Sequence, residues 1–174
     1  MQRNNFVIRQ EMDREYAAVY RLIQQAFEHA EHRDGKEQDL VAALRHSTAF
    51  VPGLSLVAER KGRLAGYILF TKAKVGQESV LALAPLAVIP EFQRQGVGTA
   101  LIQQGHHIAR RMGFSYSIVL GSETYYPRCG YLPAKEFGIE PPQGIPEENF
   151  MAIRLLENAR PVGGKMIYAK EFGL

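Results

Sequence analysis

The chain is 174 residues long and carries 21 Lys and Arg against 18 Asp and Glu, a formal net charge of +3. Hydrophobic residues make up 46 % and charged residues 22 %, a mixture that excludes collagen-like, low-complexity and intrinsically disordered chains. The length suits one domain, 1–174, with a core large enough to be stable without staples. The single cysteine, Cys129, excludes an internal disulfide and a zinc site built on several thiolates, and it suits a reducing cytoplasm. A charge of +3 is too small to argue for DNA, and a small phosphate-bearing partner accounts for it equally well. The polar start, Met1 to Asn5, lacks the apolar core of a signal peptide. The longest apolar run, Val80 to Pro90, is too short to span a bilayer. The expectation is a soluble cytoplasmic protein without a membrane partner.

In chain order, Phe6-Val7-Ile8 reads as an opening strand. Asp13 then caps a helix whose Tyr16, Tyr20, Ile23 and Phe27 share a face. A polar stretch from His29 to Gly35 separates it from a second helix with Leu40, Val41 and Leu44 on one side. Pro52-Gly53 breaks the chain before a strand over 54–59, and Lys61-Gly62 turns it into a second strand over 64–74. Residues 80–89 form a continuous apolar run, the pattern of a strand buried on both faces. Pro85 inside that run cannot donate to a ladder, so a bulge or a lost neighbour is expected there. After a polar loop over 91–98 comes a helix with Val97, Leu101, Ile108 and Met112 along one stripe. Arg110 and Arg111 lie at its C-terminal end, and Gly113 stops it. A strand over 115–120 follows, which makes a right-handed crossover with parallel strands. A short helix over 123–128, an ordered Pro/Gly loop over 133–146 and closing strands over 150–156 and 165–169 complete the order.

The loop Gln93-Arg94-Gln95-Gly96-Val97-Gly98-Thr99 joins a buried strand to a helix start. Unsatisfied N–H groups there, at the positive end of the helix dipole, bind phosphate oxygens well. Gly96 and Gly98 let the backbone come close to an anion, and Arg94 adds a charged donor. A Rossmann fingerprint would need a third glycine where Leu101 stands, and a Walker A loop would need Gly-Lys-Ser/Thr. Taken alone, a Gly-x-Gly at a helix start is equally compatible with a plain tight turn.

Two motifs in order carry more weight. Leu86-Ala87-Val88-Ile89-Pro90 with Gln93-x-x-Gly96-x-Gly98, followed by Tyr126-Pro-Arg-Cys-Gly130-Tyr131, resembles the acetyl-CoA site and the later Tyr-x-x-x-Gly-aromatic segment of the GNAT superfamily of N-acetyltransferases. The Pro/Gly loop and the ending with Tyr168 look most like its bacterial YhbS-type branch. The resemblance implies an α/β (α+β) fold: a mixed, mostly antiparallel twisted sheet with splayed parallel central strands, the fourth and fifth, and flanking helices. It implies acetyl-CoA as cosubstrate, no metal, and a pantetheine arm lying between the splayed strands. Leu86, Ala87 and Val88 would then face the cofactor amides, and Gln93, Arg94, Gln95, Gly96, Val97, Gly98 and Thr99 its phosphates.

The implied reaction is attack of a primary amine, on a small molecule, peptide or protein, on the acetyl thioester. The Val88 N–H would polarise the carbonyl, and Tyr126 would occupy the general-acid position. Glu28, Glu31 and Glu123 are open alternatives for the base, directly or through water. Tyr125 reads as a packing residue, Cys129 as a small buried bystander, and Lys72, Lys74 and Arg63 as a solvated sheet edge. His29 and His32 lack a third ligand at a recognisable spacing, and the adjacent His106 and His107 point in different directions on a helix. Rival readings are an acyl-CoA-binding regulatory module without turnover, and an acetyltransferase acting on a protein N-terminus or aminoacyl-tRNA. Either a monomer or a homodimer is compatible with the sequence.

Overall fold

The apolar runs between residues 50 and 88 form three consecutive antiparallel strands, and the remaining elements are built on them. The computed structural model describes residues 5–31 and 34–174. β1 (Val7–Gln10), β2 (Phe50–Arg60), β3 (Arg63–Val75) and β4 (Glu78–Val88) pair in sequence as antiparallel neighbours. β5 (Tyr116–Leu120) lies parallel to β4, and β8 (Phe150–Arg154) returns antiparallel to β5. The two-residue β6 (Leu132–Pro133) pairs with β8. β9 (Gly164–Ile167) pairs with the last residues of β3 and, in parallel, with β7 (Ile139–Glu140). The sheet is therefore mixed and mostly antiparallel, with its parallel step at β4–β5. Lys61 (φ 49°) and Gly62 (φ 77°) both sit in the left-handed region, which gives the β2–β3 hairpin a turn of matching twist.

Helices cover both faces. On one, Val19, Leu22 and Ile23 of α1 (Tyr16–Phe27) and Val41 and Leu44 of α2 (Glu37–Arg45) pack on Val57, Tyr67 and Leu69. On the other, Leu101 and Ile102 of α3 (Val97–Arg111) pack on Leu56, Ile68 and Leu83. α3 lies tight on the sheet, since a Cβ at Gly105 would run into the Phe70 ring.

Several boundaries differ from the sequence reading. Pro52-Gly53 does not break the chain: β2 begins at Phe50 and absorbs the pair in a register shift between Phe50 and Ser55. The core face of α1 is Val19, Leu22 and Ile23; Tyr16 and Tyr20 lie on its flank, where their hydroxyls donate to Asp13 and Asp39. Asp13 opens a 3-10 turn before that helix instead of capping it. Met112 lies at the end of α3 and is largely exposed, so it leaves the apolar stripe. Residues 123–128 do not form a helix; a 3-10 turn spans Tyr126–Cys129. The loop over 133–146 is ordered by short strands and 3-10 turns. Arg63 is not merely solvated: it grips Glu91 through two bonds of 2.7 and 3.1 Å and lies over Phe92.

Beneath α3, the buried Tyr131 hydroxyl is shared between His106 Nε2 and Ser117 Oγ, each at 2.9 Å. Burial first, and Arg110 second, push the His106 pKa down from 6.5 to about 4. The unfolded chain therefore binds a proton below about pH 6.5 that the folded one refuses until about pH 4. Stability falls across that window as pH is lowered, by about 3 kcal/mol in total. In urea titrations, His106→Gln should lose less stability than the parent between pH 7 and 4.5; parallel losses would contradict this.

Candidate active site

The site begins where β4 loses its parallel partner. β4–β5 pairing runs from Leu81–Ser117 to Leu83–Val119 and stops, while β4 continues to Val88 along β3. Leu69 faces the Ala84–Pro85 step between the pairs Ile68–Leu86 and Phe70–Leu83, so β4 carries one extra residue there. This is the bulge that Pro85 led one to expect. Beyond it, the Ile89 N–H donates to Ala65 O at 3.0 Å. By antiparallel alternation Ala87 also turns its backbone groups to β3, whereas Leu86 and Val88 turn theirs into the gap. The Val88 carbonyl is taken by Gln93 Nε2 at 3.0 Å, which leaves the Val88 N–H as the group facing the opening.

The head of α3 supplies the other half. A 3-10 turn over Pro90–Phe92, held by the Arg63–Glu91 pair, leads into Arg94 (φ 61°) and Gly96 (φ 82°), both left-handed. Gly96 is the N-cap of α3 and has no side chain to offer, so the first-turn N–H groups of Val97, Gly98 and Thr99 have no capping side chain. At Gly96 a Cβ would meet nothing, so its glycine serves the backbone angle. At Gly98 a Cβ would stand 2.6 Å from the Tyr125 hydroxyl, so that glycine serves a close approach.

A cavity of about 720 Å³ joins the strand gap to the helix head. Residues 86–88, 93, 94 and 96–99 line it, together with Phe27, Phe92, Tyr125 and Arg128. Among the described residues its lining holds two arginines and no carboxylate, so it is electropositive where the dipole of α3 enters it. Gln95 is absent from the lining; its side-chain amide turns back to Glu91 O at 3.0 Å.

Tyr126 lies behind the wall. Its ring packs on Gly121, where a Cβ would stand 2.5 Å from Cε2. It makes edge contacts with Tyr125 at 5.2 Å and Tyr131 at 5.7 Å. Among the described residues its hydroxyl makes no hydrogen bond, and burial raises its pKa, so it stays a protonated donor. Tyr125, expected only to pack, does pack against the core and also lines the cavity. It and Arg128 are the positions sequence reading missed. Their signal is the spacing of three, which puts the N-cap Tyr125 and Arg128 of the 3-10 turn on the same side.

Cys129 is partly buried beside Thr99 and Tyr125, and burial raises its thiol pKa, which keeps it un-ionised and a poor nucleophile. Glu28 and Glu31 are exposed beyond α1, and the exposed Glu123 accepts from Asn149 Nδ2 at 3.0 Å; none of the three lines the cavity. His29 is exposed, and His32 lies outside the described residues. Among the described residues no three His, Cys, Asp or Glu side chains are grouped to hold a metal, and no helix is long and apolar enough to cross a membrane.

The chain as a whole is similar to known proteins. The Escherichia coli K12 protein described as uncharacterized N-acetyltransferase YjhQ is 49 % identical over 119 residues, 66 % of this chain and 66 % of its own length. The crystal structure of E. coli YhbS, a GNAT family N-acetyltransferase in complex with CoA, superposes with a TM-score of 0.87 at 26 % identity, covering 97 % of this chain and 92 % of that one. A GNAT family acetyltransferase from Brucella melitensis in complex with acetyl-CoA gives 0.80 at 27 % identity, covering 98 % and 99 %. The sequence profile of the Acetyltransferase (GNAT) family matches residues 16–131, and the chain belongs to that family.

Proposed function

We propose that the cavity binds acetyl-CoA and that the protein transfers the acetyl group to a primary amine by direct attack. The observation that carries this reading is the continuity of the unpaired β4 edge with the uncapped head of α3 in one electropositive cavity. A pantetheine amide pair matches the outward groups of Leu86 and Val88, and a pyrophosphate matches the N–H groups of residues 97–99 beside Arg94 and Arg128. The relatives bound to CoA and acetyl-CoA support the choice of ligand.

In the reaction, the amine nitrogen bonds to the thioester carbonyl carbon, the carbon–sulfur bond breaks to release CoA, and the proton lost by the amine passes to solvent while the CoA thiolate gains one, so that the products are the amide and the free thiol. The Val88 N–H steadies the carbonyl oxygen as charge builds on it. We assign to Tyr126, on the family motif it occupies and although it adjoins Tyr125 outside the cavity lining, the hydrogen bond, or the proton in a concerted step, to the departing sulfur; a phenol kept above its ordinary pKa acts as a donor in no other way against a thiol near 8.5. With no carboxylate in the lining among the described residues, the amine enters as its free base, which an α-amine of pKa ~8 does more readily at neutral pH than a lysine of pKa ~10.4.

Two measurements test this reading. Calorimetry should show CoA binding that Gly96→Trp abolishes, because an indole at the N-cap covers the first-turn N–H groups; undiminished binding by the variant would misplace the cradle. Free-thiol release from acetyl-CoA, screened across small amines and peptides, should proceed with at least one acceptor and fall roughly 10²-fold or more in Tyr126→Phe. Release with no acceptor would overturn the transfer, and an unchanged rate in the variant would remove Tyr126 from it.

A further inference from the structure

We infer that Tyr125 is a cofactor-binding residue whose hydroxyl, seated in the notch left by Gly98, donates a hydrogen bond to bound acyl-CoA where its phosphates meet the pantetheine arm. The inference rests on the acetyl-CoA reading above and adds a residue to that site. The notch is specific to one atom. A Cβ on Gly98 would lie 2.6 Å from Tyr125 Oη, while the next atoms, Leu86 Cδ2 and Tyr125 Cζ, would be at ordinary distances of 3.6 and 3.7 Å. A phenylalanine ring would need no such notch, and alanine is the better helix former at this place in α3. Among the protein atoms around it, the glycine therefore makes room for the hydroxyl.

The location gives the hydroxyl its task. Leu86 belongs to the open edge of β4 and Gly98 to the first turn of α3, so the group between them stands where the two halves of the cavity meet. Its polar neighbours are the Thr99 hydroxyl and the Cys129 thiol. The thiol is a weak partner and the hydroxyl a neutral one, and a charged phosphate oxygen outcompetes both. The ring is held edge-on against Tyr126 at 84°, so the hydroxyl is aimed before any ligand arrives. Burial raises the Tyr125 pKa, which keeps the proton on the donor.

The test is calorimetric titration of the full chain with CoA. Tyr125→Phe, which removes one atom and keeps the ring, should raise the Kd roughly five- to tenfold, the worth of one such hydrogen bond. Gly98→Ala should raise it to a similar degree by displacing the hydroxyl. In the double variant the two penalties should not multiply, because both remove the same contact. Unchanged affinity in Tyr125→Phe would overturn the inference, and so would penalties that multiply. Failure of the parent protein to bind CoA would instead overturn the reading beneath it.

Discussion

The parting of β4 from β5 after Leu83 and Val119 is the constraint on which the rest of the site depends. A buried strand cannot leave its N–H and C=O groups unpaired without cost, so an open edge in the middle of a sheet is stable only with water or a ligand in it. Here the opening follows directly on the extra residue at Pro85, and β3 holds β4 in place along its other edge as far as Val88. The fold thus keeps one edge of β4 rigid while releasing the other. Leu86 and Val88 face the released side, and the Gln93 amide settles which of the Val88 groups remains available.

The head of α3 converts that slot into a site for one kind of ligand. An apolar slot with outward amide groups suits many extended molecules, whereas an uncapped helix start flanked by Arg94 and Arg128 suits an anion. On the reading proposed above, their continuity in one cavity suits a molecule that is extended and amide-bearing at one end and phosphorylated at the other. α3 can hold its end fixed because Gly105 lets it lie against Phe70 and because its underside is tied through His106 to Tyr131. The same buried ties bring the 3-10 turn of Tyr126–Cys129 against the helix head, where Tyr125 and Tyr126 take different places: one on the wall, one behind it.

Much of this was legible in the sequence, and the limits have physical causes. The strand over 80–89, its interruption at Pro85, the glycines at 96 and 98 and the crossover to residue 116 all follow from local chemistry, because each residue there constrains its own backbone. The errors fall where tertiary contacts decide. Pro52-Gly53 reads as a break, yet β2 absorbs it through a register shift against β3, ahead of the residues that pair with β1. Tyr16 and Tyr20 keep helical spacing but lie on the flank, since the smaller Val19, Leu22 and Ile23 fit the sheet. Tyr125 is indistinguishable from a packing residue until Gly98 is brought beside it in space. The acceptor side offers no such signal, because Glu28, Glu31 and Glu123 are exposed groups whose spacing in the chain says nothing of distance to the thioester.

The central claim, that the open β4 edge is the resting place of an acyl-CoA arm, is tested most directly by amide hydrogen exchange followed by NMR with and without CoA. The Ala87 N–H, already bonded to β3, should be protected in both states, whereas the Leu86 and Val88 N–H groups should exchange readily in the free protein and become protected when CoA is present. Protection at 86 and 88 that does not change with CoA, or a change confined to residues outside the β4 edge and the head of α3, would contradict the account.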